Sequence, residues 1–184
     1  MSGTVHATLA PSAWVVRWSH LVAPGARVLD VACGSGRHVR WFAARGAHVT
    51  GIDRDIAALE PLRAVAEAVV VADLEAEPWP LPNLGFDAVV CTNYLWRPLL
   101  PALRASVAPG GVLLYETFAV GNETVGRPSN PDFLLRPGEL LAAFAGLRIV
   151  AYEDGFLDAP ARFVQRLVAA HPAPGAAPPR WPLG

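Results

Sequence analysis

The chain has 184 residues, 53% of them hydrophobic and only 17% charged, with a formal net charge of −1. That length supplies one domain with a sizeable core and excludes two ordinary domains with a linker, while the apolar content excludes a disordered body. The near-neutral balance gives no electrostatic case for a nucleic-acid partner, which depends on a strong basic excess.

Residues 11–22 carry Trp14, Val15, Trp18, Leu21 and Val22 at helical spacing, with Pro11 in a first-turn position and Thr8 or Ser12 as cap. This short helix either packs on a sheet edge or acts as a lid in which Trp14, Arg17 and Trp18 close over a ligand. The pattern then predicts a strand over 26–32, a tight turn over 33–36 and a helix over 37–45 that stops at Gly46. A second strand over 47–52 ends at Asp53. A helix over 54–66 is kinked or shortened by Pro61, and a third strand over 68–72 ends at Asp73. The proline-rich connection EAEPWPLPNLG cannot be regular.

A fourth strand over 86–92 has a continuous apolar face and belongs near the centre of a sheet. A helix over 99–107, a turn at Pro109-Gly110-Gly111 and a fifth strand over 112–118 follow. Residues 119–136 are a long irregular segment, expected to be an ordered, functional loop because it carries Phe133, Leu134 and Leu135. A helix over 137–144 leads to two strands, 147–153 and 162–169, expected to pair antiparallel across the short connection DGFLDAPA. The alternation predicts an α/β domain over residues 1–170, with a largely parallel sheet between helices, and a Pro/Ala-rich tail over 171–184 that is either extended or disordered.

The Gly34-Ser35-Gly36 turn after the first strand is where open α/β sheets hold nucleotide-like ligands. A dinucleotide fingerprint wants a small residue three positions after Gly36, and Val39 stands there. Asp30 would repel a pyrophosphate and attract an ammonium group. A ligand with an amino-acid end therefore fits better than a nicotinamide cofactor, which stays as the alternative. Asp53 can accept both hydroxyls of a ribose, and Asp73 can accept from an adenine amino group while the Leu74 N–H donates to a ring nitrogen. Cys33 and Cys91 make neither a disulfide framework nor a metal spacing, the histidines are scattered, and no metal is expected. The start MSGTVHATLAPSAW lacks the pattern of a signal peptide, and no apolar run approaches the roughly 20 residues of a membrane span. A cytoplasmic protein without a membrane partner is expected, as monomer or homodimer.

VLDVACGSGRH (28–38), VTGIDRD (49–55), VADLE (71–75), FDAVVCTNYL (86–95) and VAPGGVLLYET (107–117) together resemble the motifs of the class I S-adenosylmethionine-dependent methyltransferases. The resemblance implies a Rossmann-like three-layer sandwich with a seven-stranded, mostly parallel sheet whose last strand is antiparallel. It implies S-adenosyl-L-methionine as cofactor, held by Asp30, Ala32, Gly34, Gly36, Asp53, Arg54, Asp73, Leu74 and Asn93. The segment YETFAVGNETVGRPSNPDFLLRPGEL (115–140) is similar to one in small bacterial members grouped with the tellurite-resistance methyltransferases, which implies a small-molecule substrate, an oxyanion or carboxylate-bearing acceptor. Asn93 could orient that acceptor, and Tyr94 and Trp96 either face the sulfonium or pack in the core. Glu116 is either a general base or a strand-end carboxylate paired with an arginine. Arg127, Asn130 and Arg136 are either an anion-binding set, with Arg136 acting in catalysis, or solvated loop groups. A non-catalytic member that binds the cofactor as a scaffold is a further alternative.

Overall fold

Apolar residues on both sides of a strand demand cover on both sides, and β1 (Arg27–Val31) shows the result: every residue after Arg27 is buried. The computed structural model describes residues 10–175 and 180–183. Strands β2 (His48–Asp53), β3 (Ala68–Val71), β4 (Phe86–Thr92) and β5 (Val107–Phe118) lie parallel to β1, and β6 (Arg148–Asp158) and β7 (Ala161–Ala170) complete the sheet. The order is β3-β2-β1-β4-β5-β7-β6, with β7 antiparallel to both β5 and β6. The chain order reverses between β1 and β4, so a crevice opens at their carboxyl ends.

Alternation of side chains along each strand divides the core in two. On one face Leu29, Val31, Val89, Leu113, Tyr115 and Leu167 pack under α4 (Leu100–Ala105) and α5 (Glu139–Ala143), with Leu103, Leu140 and Phe144 as the facing residues. On the other face Val28, Val49, Val90, Leu114 and Val168 meet α1 (Ala13–Trp18), α2 (Arg37–Ala43) and α3 (Ile56–Leu59) through Trp14, Trp18, Val39, Phe42 and Leu59. Among the described residues no helix is long and apolar enough to cross a membrane.

Several elements differ from expectation for local reasons. Trp14, Val15 and Trp18 are at most 1% exposed, so α1 is core and does not serve as a lid. Ser12 caps it by accepting the Trp14 N–H; the alternative cap Thr8 and the first nine residues of the signal-peptide reading lie outside the described residues. The helix after β2 keeps only four α-helical residues and continues as a 3-10 segment, Glu60–Ala64, where Pro61 has no N–H to extend the α pattern. The Pro109-Gly110-Gly111 turn is absorbed into β5 as an irregularity of register between Phe86 and Ala88. The supposed connection DGFLDAPA is mostly ladder, since Asp154 to Asp158 pair with Gln165 to Ala161 and Phe156 stacks on Phe163 at 4.9 Å. The tail also returns: the Arg148 guanidinium lies 5.3 Å from the Trp181 ring, and His20 Nε2 is 3.0 Å from the Pro182 carbonyl.

Candidate active site

The turn after β1 alternates left-handed residues, Ala32 at φ +51, Gly34 at φ +53 and Gly36 at φ +76. Gly36 is the N-cap of α2, and the space a Cβ would take there is filled by Leu62, whose Cδ2 would be 2.3 Å away. Ala32 has no such excuse of size; an L-residue held in this region costs about 1–2 kcal/mol, the kind of strain that gathers at binding sites. Asp53, at the end of β2, ties the turn down by accepting the Gly34 N–H at 2.7 Å on one oxygen and the Asp55 N–H at 3.0 Å on the other. Asp73 accepts the Glu75 N–H at 3.0 Å, with Arg54 Nη1 3.9 Å from its second oxygen.

Five expected cofactor residues, Ala32, Asp53, Arg54, Asp73 and Leu74, line one cleft of about 480 Å³ together with Tyr94. A second cleft of about 530 Å³ starts where the first ends, because Glu75 and Tyr94 line both; it adds Asn93, Thr117, Phe118 and Phe133. Asn93 is exposed and left-handed at φ +56. The Tyr94 hydroxyl is buried without a partner, and burial pushes its pKa well up. Trp96 packs against the core instead of lining either cleft. Asp30 lies beneath, 1% exposed, with Oδ1 3.8 Å from His38 Nδ1 and Oδ2 buried without a partner.

Glu116 is also 1% exposed. Ser12 Oγ donates to one of its oxygens at 2.9 Å, and the guanidiniums of Arg166 and Arg162 stand at 3.5 and 3.8 Å. The long loop is ordered, but by groups other than those expected. Arg97 donates to both carboxylate oxygens of Glu139 at 2.7 and 3.0 Å and to the carbonyls of Asp132 and Leu134. Burial alone would raise the Glu139 carboxyl, yet these bonds and the Arg136 N–H hold it below its ordinary value. Arg127 and Arg136 are exposed and the Asn130 side chain caps Asp132; among the described residues no hydrogen bond joins these three side chains. Both cysteines are buried; burial pushes the Cys91 thiol up to about 12 and the Cys33 thiol higher, so neither offers a thiolate at neutral pH.

Residues 28–111 match the methyltransferase domain family. A tRNA U34 carboxymethyltransferase of Methylococcus capsulatus is 32% identical over 146 residues, 70% of this chain and 45% of that protein. A malonyl-[acyl-carrier protein] O-methyltransferase of Serratia marcescens is 34% identical over 108 residues, 54% of this chain and 41% of that protein. Over residues 28–111, less than half of its length, the chain is similar to the class I S-adenosylmethionine-dependent methyltransferases. It spans less than half the length of either relative. The crystal structure of TehB from Haemophilus influenzae has the same fold, with a TM-score of 0.71 at 19% identity over 87% of this chain and 62% of that one.

The cofactor of this methyltransferase superfamily is S-adenosylmethionine, and the residues present fit it. An orphaned buried carboxylate oxygen suits an ammonium, and two carboxylates and a free-standing N–H in one cleft suit a ribose and an adenine: among the described residues the Leu74 N–H has no acceptor. Sequence reasoning on the methyltransferase motifs did not single out Arg37, Thr92, Arg162 or Arg166. Arg37, Thr92 and Arg162 share only a position at or next to a helix or strand end, and Arg166 lies in the middle of β7 with no local signal.

Proposed function

We propose that this chain binds S-adenosylmethionine and transfers its methyl group to a small acceptor carrying a carboxylate or another oxyanion. The observation that carries this reading is the single cleft in which Asp53, Asp73 and Leu74 come together beside the glycine turn, continuous at Tyr94 with a second cleft. Asp53 accepts from the ribose hydroxyls, Asp73 from the adenine amino group, and the Leu74 N–H donates to the ring. Arg54 flanks the base, and Asp30 takes the ammonium on its unpartnered oxygen. When bound, S-adenosylmethionine supplies a methyl group already activated on a sulfonium, which leaves alignment and charge to the protein.

Tyr94 stands at the join of the two clefts, and Asn93, just past the end of β4 beside Thr92, orients the acceptor. Glu116, with its oxygens facing Ser12, Arg162 and Arg166, anchors those groups instead of removing a proton. An ionised carboxylate or oxyanion acceptor needs no base. Arg136 adds positive charge on the exposed loop and draws anions towards the crevice. The malonyl group named for the Serratia marcescens relative carries a carboxylate, which favours an acid acceptor.

The test is release of S-adenosylhomocysteine from S-adenosylmethionine across a panel of small carboxylates, oxyanions, thiols and amines, with tRNA included. Turnover with a carboxylate or oxyanion is the expected result. Turnover confined to amines or to tRNA contradicts the acceptor class, and cofactor binding without turnover on any acceptor favours a scaffold.

A further inference from the structure

Beside the crevice lies a polar layer that cofactor binding does not explain. Asp30, Thr92, Glu116, Arg162 and Arg166 occupy alternate positions that fall on the α1/α2 side of the sheet, near the carboxyl ends of the parallel strands. Thr92 pairs with Glu116, and Glu116 with Arg166, in adjacent ladders. Arg37, the first residue of α2, donates from Nη2 to Thr92 Oγ1 at 3.1 Å. Arg162 and Arg166 approach Glu116 from the other side. Arg166 also shares Glu153 with Arg17, at 3.1 and 3.0 Å.

Two features of this layer point to a ligand. Four guanidiniums (Arg17, Arg37, Arg162 and Arg166) face three carboxylates (Asp30, Glu116 and Glu153), and the methionine end of the cofactor, with one ammonium and one carboxylate, leaves the excess unchanged. Arg162, with its side chain only 21% exposed, makes no hydrogen bond among the described residues: its nearest acid is at 3.8 Å and its Nε is buried without an acceptor. A guanidinium has five N–H donors in a planar fork matched to a carboxylate or oxyanion. Those of Arg162 are held in place by Glu116 but unused.

We infer that Arg162 and Arg37, with Thr92 between them, form an anion clamp for the carboxylate or oxyanion of the methyl acceptor. This rests on the methyl-transfer reading and says where the acceptor's charge is held. The cofactor's own carboxylate is the other source of the same chemistry, and distance argues against it for Arg162. β7 lies three strands from β1, about 14 Å at the usual strand spacing, and Arg162 turns towards Glu116 near the end of β5. Glu116 and Arg166 are positioning residues in this arrangement, since they orient Arg162 and are themselves enclosed.

Malonate and inorganic phosphate, titrated calorimetrically into protein saturated with S-adenosylhomocysteine, test the clamp. Wild type is expected to bind malonate. Arg162→Gln should weaken it at least tenfold and leave S-adenosylhomocysteine affinity within threefold. Arg162→Lys, which keeps the charge and loses the fork, should weaken malonate binding with an unchanged melting temperature, and the exposed control Arg45→Gln should change nothing. Malonate binding that survives Arg162→Gln and Arg162→Lys, or no binding of either anion by wild type, overturns the proposal. A tenfold loss of S-adenosylhomocysteine affinity in Arg162→Gln also overturns it, by assigning the clamp to the cofactor. If S-adenosylhomocysteine does not bind at all, the cofactor reading falls separately, and malonate titration of the unliganded protein still decides the clamp by the same variants.

Discussion

Replacing Gly36 by alanine should destabilise the protein far more than replacing Gly34, although the two share one turn and one backbone region. Both residues are left-handed, at φ +76 and φ +53, so an alanine at either costs about 1–2 kcal/mol in conformation. Only at Gly36 does the new methyl collide, standing 2.3 Å from Leu62 Cδ2 and 2.5 Å from its Cδ1. Leu62 is fully buried, so its displacement disturbs packed neighbours and adds about 1–3 kcal/mol of overpacking. The sum for Gly36→Ala is about 2–5 kcal/mol, which for a chain of this size lowers the melting temperature by about 4–20 °C. At Gly34 a Cβ meets nothing within 4 Å, and the conformational cost alone predicts a fall of about 2–8 °C. Gly34 is two residues from Ala32, which lines the cleft, and its N–H is bonded to Asp53, so its methyl should instead weaken S-adenosylhomocysteine binding. Thermal unfolding of both variants, followed by titration below their transitions, separates the two effects. Equal losses of stability, or a larger loss at Gly34, would refute the packing of Leu62 over the turn.

Asp53→Asn should weaken S-adenosylhomocysteine at least tenfold by calorimetry, because the carboxylate both anchors the Gly34 N–H and faces the cleft; an unchanged affinity would remove Asp53 from the site. Ala32→Gly should stabilise by about 0.5–1 kcal/mol, the relief of a left-handed alanine less the added freedom of the unfolded glycine, and a lower melting temperature would contradict the strain. Glu139 has its carboxyl held below the ordinary value, so the stability it contributes is fully present above the ordinary carboxylate pKa and is lost as pH falls through the lower folded value. Urea unfolding across acid pH should therefore show the advantage of wild type over Glu139→Gln shrinking as pH falls from the ordinary carboxylate value; a constant difference would rule out the ion pair with Arg97 as its source.

The residues proposed to hold the cofactor are legible because they are written locally. An acid stands at or within two residues of the end of β1, β2 and β3, so Asp30, Asp53 and Asp73 can be read from three apolar runs and their terminators. The anion layer is not, since Ser12 and Glu116 are 104 residues apart and meet only when the sheet is assembled. The spacing of Trp14 and Trp18 is the same for a lid and for a core helix, and only burial separates them. In the long loop, arginine content drew attention to Arg127 and Arg136, whereas the residue that orders it is Arg97 from another segment. The β6–β7 hairpin was cut short because Asp154, Gly155 and Asp158 have turn composition; the ladder opposite Arg162 to Gln165 overrides it.

Calorimetric titration of the purified chain with S-adenosylhomocysteine and, in parallel, with NAD tests the central claim most directly. The cleft lined by Asp53, Asp73 and Leu74 predicts one S-adenosylhomocysteine per chain, lost in Asp53→Asn, and no heat from NAD. Binding of NAD with no response to S-adenosylhomocysteine would contradict it.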